Sequence, residues 1–426
     1  MTMTNAFDPA RIDRVDAIER DMIARRERLL GPAYRLFYQR PLHVVRGEGV
    51  WLIDAEGKRY LDAYNNVASV GHCRAEVIEA ITTQARILNT HTRYLDCNIL
   101  DYAERLLATF PAPLAHAMFT CTGSEANDLA LRIARRFTGN EGVIVTETAY
   151  HGTTEATAEL SPSLGKDMLG RRIRTVRAPE GDGSIFASEV RRAIEELATA
   201  GLRPAALLVD TLFSSDGVRV GPVGFLKPAV DVVRASGGVF IADEVQAGFA
   251  RSGEEFWGFA RHGVVPDLVT MGKPMGNGHP VAAVVARPHV VAQFGEEIRY
   301  FNTFAGNPVS CAAASAVLDV IEKEDLQANV RSVGAYLAQE LRACAATSDQ
   351  LGELRAAGLF VGLDVLGDNG EPSRVAASQI VNAMRDRHVL ISATGADGGT
   401  LKIRPPLIFA REHVDRLVDA LAEAVA

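Results

Sequence analysis

The stretch PDLVTMGKPMGNGHP, residues 266 to 280, sets a single lysine, Lys273, among three prolines and three glycines directly after the apolar pair Leu268-Val269. Upstream, GVFIADE (238–244) is an apolar run that closes on Asp243-Glu244. An apolar run that ends in a glycine and proline turn reads as a buried strand leaving a sheet, so Lys273 stands at a strand end and not on a solvated charged face. An amine held in that way is suited to Schiff-base chemistry, which also needs an electron sink and a carboxylate facing the ring nitrogen of that sink. Asp243, at the end of its own apolar run, is the candidate carboxylate.

Working outward, AMFTCTGSEAN (117–127) runs a short apolar strand into Thr-Gly-Ser and then into a helix expected from Ala126 to Phe137. Gly123 permits the tight turn, and Ser124 with the free amides of the first helical turn makes an anion cradle. It lacks the lysine of a Walker A loop and the glycine spacing of a dinucleotide fingerprint. Between this cradle and residue 285, apolar runs at 142–145, 174–176, 205–210, 238–243, 267–270 and 281–285 alternate with helical patterns at 188–199 and 228–236. That alternation predicts an α/β unit with a mostly parallel sheet over residues 70–310. Ligands of such sheets sit beyond the carboxyl ends of the strands, where Gly123, Ser124, Tyr150, Asp243 and Lys273 all fall. Pyridoxal phosphate would be held there at three points: its aldehyde by Lys273, its pyridinium nitrogen by Asp243 and its phosphate by a helix N-terminus.

The flanking segments read differently. Residues 1–69 form an N-terminal segment with a helical stripe of Val15, Ile18, Met22 and Ile23, followed by small antiparallel strands around the turn at 54–57. The loop YNNVASVGH (64–72), which contains Asn66, follows a strand, and loops in that position commonly line sites. Residues 311–426 form a second, smaller α+β domain, to which the N-terminal strands are expected to attach.

With 53 Asp and Glu against 45 Lys and Arg, the formal charge of -8 argues against a nucleic-acid surface. Five scattered cysteines without a CxxC motif fit a reduced compartment and give no zinc site. No run of 18 apolar residues and no signal-like hydrophobic stretch occurs, so a cytoplasmic location away from membranes is expected.

Taken together, TGSEAND (122–128), YHG (150–152), DEVQAGFARSG (243–253), TMGKPMGNGHP (270–280), FNTFAGNPVSCA (301–312) and LKIRPPL (401–407) resemble, in order and spacing, the class III aminotransferases of the fold type I pyridoxal phosphate group. YQRPLHVVRGEG (38–49), NNVASVGHCRAEV (65–77) and GGVFIADEVQ (237–246) are similar to the branch that holds phospholyases of ethanolamine phosphate and phosphohydroxylysine, alongside ordinary amine transaminases. The resemblance implies that Lys273 bonds to the cofactor and shuttles the Cα proton, and that Asp243 keeps the ring nitrogen protonated. It further implies that Tyr150 stacks on the ring beside His151, Gln246 contacts the phenolic oxygen, and Gly123 and Ser124 hold the phosphate. Thr303 is implied to reach the phosphate of the neighbouring subunit, which makes the active unit a homodimer with shared sites.

Two departures bear on the reaction. Many members carry an arginine where this chain has Lys402, and lysine lacks the planar fork that clamps a carboxylate; whether Lys402 or Arg404 faces the substrate stays open. Where the family usually shows Glu-Pro, this chain has Asp210-Thr211, followed by Leu212-Phe213. With Asn66 and Asp210 as further substrate contacts and Leu212 and Phe213 as an apolar pocket wall, the expectation is transamination from a hydrophobic amine to a keto acid such as pyruvate. The alternative is elimination of phosphate from ethanolamine phosphate or a related amine.

Overall fold

The computed structural model describes residues 4–426; residues 1–3, the start of the expected N-terminal segment, lie outside the described residues. Helix α1 (Ala17–Leu30) is capped by Asp16, whose carboxylate accepts from the Glu19 amide at 2.9 Å. None of its residues is buried, so the stripe of Ile18, Met22 and Ile23 stays at the surface of this chain. Strands β1 (Val44–Glu48), β2 (Trp51–Asp54) and β3 (Arg59–Asp62) then form an antiparallel meander. Its second turn is held by Asp54, which accepts from the Glu56 and Lys58 amides.

Helices α2 (Ala75–Ile87) and α3 (Cys97–Ala108) lead to β4 (His116–Thr120) and α4 (Gly123–Thr138). The chain continues through β5 (Gly142–Thr146), α5 (Glu155–Ala158), β6 (Ile173–Val176), α6 (Ser184–Thr199), β7 (Pro204–Asp210), α7 (Lys227–Ala235), β8 (Val239–Asp243), β9 (Leu268–Met271) and β10 (Ala282–Ala286). These strands make one seven-stranded sheet in the order β4-β10-β9-β8-β7-β5-β6. The pairs β9-β8, β8-β7, β7-β5 and β5-β6 are parallel, and β10 runs antiparallel to both β9 and β4. Every residue of β5, β8, β9 and β10 is buried, as a sheet covered on both faces requires.

The period-two alternation assigns each strand residue to one of two layers. In β8, Val239 and Ile241 join the core made with Leu129, Ala130 and Ile133 of α4, whereas Phe240 and Ala242 join the core that includes Val190 of α6 and Val230 of α7. An α/β architecture with helices on both faces follows, with the strand ends that carry the site left open.

The remaining chain is α8 (Pro288–Glu297), α9 (Pro308–Lys323), α10 (Leu326–Ala345), β11 (Leu351–Ala357), β12 (Phe360–Val365), α11 (Arg374–Asp386), β13 (Val389–Leu390), β14 (Ser392–Thr394), β15 (Thr400–Ile403) and α12 (Arg411–Val425). Strand β13 adds in parallel to β3, giving the sheet β1-β2-β3-β13, and the third sheet runs β11-β12-β15-β14. The sequence pattern misses β11 because its buried Arg355 reads as surface; in the fold Arg355 forks onto Asp364 of β12. Among the described residues, no cluster of His, Cys, Asp and Glu can hold a metal ion, and no helix is long and apolar enough to cross a membrane.

Candidate active site

The carboxyl ends of β7, β8 and β9 and the N-terminus of α4 converge on a cavity of about 180 Å³. Gly123, Ser124, Asn127, Tyr150, His151, Gly152, Asp210, Asp243, Val245, Gln246 and Lys273 line it. Eight of the fourteen residues singled out from the sequence thus meet in one place.

Helix α4 begins at Gly123 because Thr122 and Glu125 form a capping box: the Thr122 hydroxyl accepts from the Glu125 amide, and the Glu125 carboxylate accepts from the Cys121 and Thr122 amides. The amides of Gly123 and Ser124 are left pointing ahead of the helix, in the geometry that binds anions. Two glycines keep this cradle open. A Cβ on Gly123 would meet Val245 Cγ2 at 2.9 Å, and one on Gly152, whose φ is +136°, would meet Ser124 Oγ at 2.5 Å. The Ser124 hydroxyl accepts from the Thr153 amide at 3.1 Å, which fixes the loop after β5 against the cradle.

Asp243 is 4% exposed and fully partnered. Its Oδ2 accepts from Asn127 Nδ2 at 2.9 Å and from His151 Nδ1 at 2.7 Å, and its Oδ1 accepts from the Val245 amide at 3.0 Å. Burial alone would raise its pKa; the hydrogen bonds from His151, Asn127 and Val245 outweigh it and hold the carboxyl below its ordinary range. The proton of His151 is assigned to Nδ1 by this contact, and its buried Nε2 has no hydrogen-bond partner among the described residues.

Asn127, overlooked in the sequence, ties these pieces together. It donates to the His151 carbonyl at 2.8 Å as well as to Asp243, and it accepts from Thr270 Oγ1 at 2.6 Å. The available signal was an amide side chain on the buried face of α4, between Ala126 and Leu129.

Lys273 is half-buried and stands two residues past β9, where Gly272 backs closely onto Gly123: a Cβ there would lie 3.2 Å from the Gly123 nitrogen. Desolvation and then the Arg404 guanidinium lower its amine to about 8, against the opposing pull of Asp243 and Asp210. Asp210 pairs in register with Asp243 on the neighbouring strand. Its carboxylate closes the turn after β7 by accepting from the Leu212 and Ser214 amides at 2.9 and 3.1 Å.

That turn corrects one expectation. Leu212 and Phe213 are both fully buried: Leu212 packs with Val218, Val220, Ala247, Ala357 and Phe360, and Phe213 lies edge-on to Phe186. Neither lines the cavity, so the apolar pocket wall that favoured a hydrophobic amine is absent. Thr303 is exposed and is not brought to the cavity of its own chain. Asn66 is buried beside the site, its Nδ2 donating weakly to the Gln246 carbonyl at 3.5 Å, and its Oδ1 has no partner among the described residues.

Lys402 and Arg404 stand beside the site without lining the cavity. Arg404 donates to Gln246 Oε1 and to the Tyr64 carbonyl. Lys402, in β15, is 7% exposed, and its side chain makes no ion pair or hydrogen bond among the described residues; its Nζ lies 5.8 Å from the Phe360 ring centre. Burial, then the nearby Arg404, push it well below the ordinary lysine range, with Asp210 and Asp216 opposing and Lys273 adding to the fall. Asp216 is itself held by the hydroxyls of Thr146 and Thr148, and burial pushes its carboxyl up to about 6.

These residues fit pyridoxal phosphate: an anion cradle that a single Cβ would fill, a buried carboxylate kept ionised, and an amine of lowered basicity at the neck between them. When bound, that cofactor supplies an electron sink for the carbon that carries a substrate amine.

Comparison with known proteins agrees. Residues 37–425 match the family model described as aminotransferase class-III. A Drosophila melanogaster protein named alanine–glyoxylate aminotransferase 2-like is 39% identical over 95% of this chain and 87% of its own length. A Caenorhabditis elegans ethanolamine-phosphate phospho-lyase homolog is 34% identical over 95% of this chain and 93% of its own. The solved structure of an Arthrobacter phospholyase in complex with phosphoethanolamine superposes with a TM-score of 0.90, at 44% identity over 95% of this chain and 99% of that one. The expected cytoplasmic location does not stand, because the Arabidopsis thaliana, Homo sapiens and Pongo abelii relatives, at 34–36% identity, are all named as mitochondrial. The chain belongs to the class III aminotransferase family, and it is a pyridoxal phosphate-dependent enzyme acting on small amines or amino acids.

Proposed function

We propose that this enzyme is a phospholyase that eliminates phosphate from ethanolamine phosphate or a closely related phosphorylated primary amine. The observation that carries the reading is Lys402, a buried amine whose side chain has no carboxylate partner, set beside Arg404. Burial without a partner disfavours the charged form of this amine, and an anionic ligand that supplies the missing partner restores it. A phosphate group leaving a water-poor cleft needs charge-assisted donors of this kind. The absence of Leu212 and Phe213 from the cavity removes the argument for an apolar amine, and the likeness to the Arthrobacter phospholyase supports the same choice.

In this reading Gly123 and Ser124 hold the cofactor phosphate, Asp243 faces the ring nitrogen and Tyr150 covers the ring. Lys273, neutral in a large fraction at pH 8, takes a proton from the amine-bearing carbon of the substrate. The C–H electron pair becomes the second bond of a C=C while the C–O bond to phosphate breaks, and phosphate leaves towards Lys402 with the pair of that C–O bond. Water then hydrolyses the enamine product to an aldehyde and ammonia. The active unit is a homodimer in which each subunit supplies Thr303 to its neighbour. The exposure of Thr303 supports this, as do the exposed apolar side chains of Phe301 and Phe304 in the same segment.

Transamination is the second reading, favoured by the aminotransferase names of the Drosophila and human relatives. One experiment separates the two. Ethanolamine phosphate, given to the cofactor-loaded enzyme without any keto acid, should release phosphate, acetaldehyde and ammonia in equal amounts over many turnovers. Alanine formation from pyruvate and a simple primary amine, with no phosphate released from ethanolamine phosphate, would reverse the order.

A further inference from the structure

Arg404 lies one residue past β15, and the donors it uses go to protein groups. Its amide donates to the Ala63 carbonyl at 2.8 Å, its Nε donates to the Tyr64 carbonyl at 3.0 Å, and its guanidinium lies 4.6 Å from the Tyr64 ring centre. Its Nη1 donates to Gln246 Oε1, and Gln246 Nε2 in turn donates to Ser214 Oγ. Ser214 is fixed from both sides: its amide donates to Asp210 Oδ2, and its carbonyl accepts from Thr394 Oγ1 at 2.9 Å. The Tyr64 end is fixed as well, because Asp62 accepts from the Tyr64 and Asn65 amides and from His72 Nε2. The connected network joins the N-terminal strands, the large sheet and the C-terminal sheet, and Arg404 is the residue common to all three.

We propose that Arg404 is a positioning residue that orients Gln246, and is not a ligand of the substrate. A guanidinium can only donate, so its contact fixes the Gln246 amide with the oxygen towards Arg404 and the nitrogen away from it. Gln246 therefore offers the cavity an N–H and never its carbonyl, which is the polarity that an acceptor oxygen on the bound cofactor requires. Without Arg404 the amide is free to flip.

The second effect is electrostatic. Arg404 is 6% exposed and has no ion pair among the described residues, so its charge is poorly compensated locally. The charged groups facing Lys273 are Arg404 and Lys402 on one side, and Asp243 and Asp210 on the other. Of these cations Arg404 acts most strongly against the Lys273 ammonium, and it thereby keeps the amine available as a proton acceptor. This inference rests on Lys273 being the proton acceptor and on no particular fate of the phosphate group.

The test uses Arg404→Gln and Arg404→Lys in the full-length protein. In cofactor-free protein, competitive acetylation read by peptide mass reports the pH at which Lys273 becomes reactive. Arg404→Gln should raise that midpoint by about one pH unit, and Arg404→Lys should leave it within about 0.3 unit, as expected for loss or retention of one nearby charge. In the loaded enzyme, with whichever substrate it turns over, kcat should fall about tenfold or more in Arg404→Gln while KM changes less than about threefold. A rise in KM with kcat intact in either variant, or an unchanged kcat in folded Arg404→Gln, overturns the proposal; an unchanged midpoint overturns its electrostatic corollary. If Arg404→Gln does not fold, Arg404→Lys decides by the same kcat and KM division.

Discussion

Replacing Asp243 by asparagine tests the heart of the site, because the structure fixes how the amide must sit. The carboxylate accepts three hydrogen bonds, two at Oδ2 and one at Oδ1. An amide has one accepting oxygen and one donating nitrogen. With the oxygen in the Oδ2 place, His151 and Asn127 keep their acceptor and the new NH2 confronts the Val245 amide. The opposite orientation confronts both His151 and Asn127, so the first is preferred. Stranding the buried Val245 N–H costs about 1–3 kcal/mol, and weakening the His151 contact from a charge-assisted to a neutral hydrogen bond adds on the order of 1 kcal/mol. The variant should therefore fold with a lowered thermal midpoint and a stability loss of about 2–4 kcal/mol.

The kinetic effect comes from the missing charge. A neutral amide cannot hold a proton on the ring nitrogen of the cofactor, and losing one preorganised charge at a reacting centre costs about a hundredfold or more in rate, close to 2.7 kcal/mol. Thermal denaturation of the cofactor-free protein and phosphate release at saturating cofactor and substrate measure the two effects separately. A rate within about threefold of the parent, in a variant whose thermal midpoint has fallen as described, would refute the role given to Asp243.

Four further outcomes are expected. Lys402→Met should raise the thermal midpoint of the cofactor-free protein, since it replaces a buried amine without a hydrogen-bond partner by an apolar side chain, and should lower phosphate release from ethanolamine phosphate about a hundredfold; retained phosphate release would remove Lys402 from the phosphate site. Gly152→Ala should weaken cofactor binding at least tenfold by equilibrium dialysis, because its Cβ would lie 2.5–2.7 Å from three atoms of Ser124 at a φ of +136°; unchanged affinity would show that the cradle is not the phosphate site. Acetylation of Lys273 in cofactor-free parent protein should rise with pH through about 8, because the neutral amine predominates only above its lowered pKa; a midpoint near that of an exposed lysine would count against the shielded environment. Glu244→Gln should destabilise the fold by about 1–3 kcal/mol in chemical denaturation, since its carboxylate accepts from Thr211 Oγ1 and the Gly258 and Phe259 amides and an amide NH2 must face one of these donors; a neutral effect would mean that this corner relaxes.

The residues legible in the sequence share one property: their placement is local. Lys273, Asp243, Gly123 and Ser124 each sit where an apolar run meets a turn, and a buried strand that ends in glycine or an acid announces a sheet edge without knowledge of its neighbours. The ends of parallel strands then fall on one side of the sheet by topology alone, so the gathering of these four could be read from order and spacing. The direction of side chains beyond the strand ends could not. Leu212 follows Asp210 by two residues, but the Asp210 carboxylate draws the Leu212 and Ser214 amides into a tight turn and sends Leu212 into the core against Phe360, a contact between distant parts of the chain.

The same holds for the cationic side of the site. Lys402 and Arg404 are two apart at the end of a strand, which tells that they share a face but not which face. The pairing of β15 between β12 and β14, and the docking of that sheet on the turn at 214–218, bring them to Lys273 and Gln246. Asn127 is likewise silent in the sequence, because its value lies in reaching β8, β9 and the loop after β5 at once. Local chemistry at strand ends determined the cofactor and the fold; the placement of the cationic side chains Lys402 and Arg404 was decided only by packing between segments far apart in the chain, because a side chain's neighbours across a sheet or between layers are set by register and docking, which no local pattern encodes.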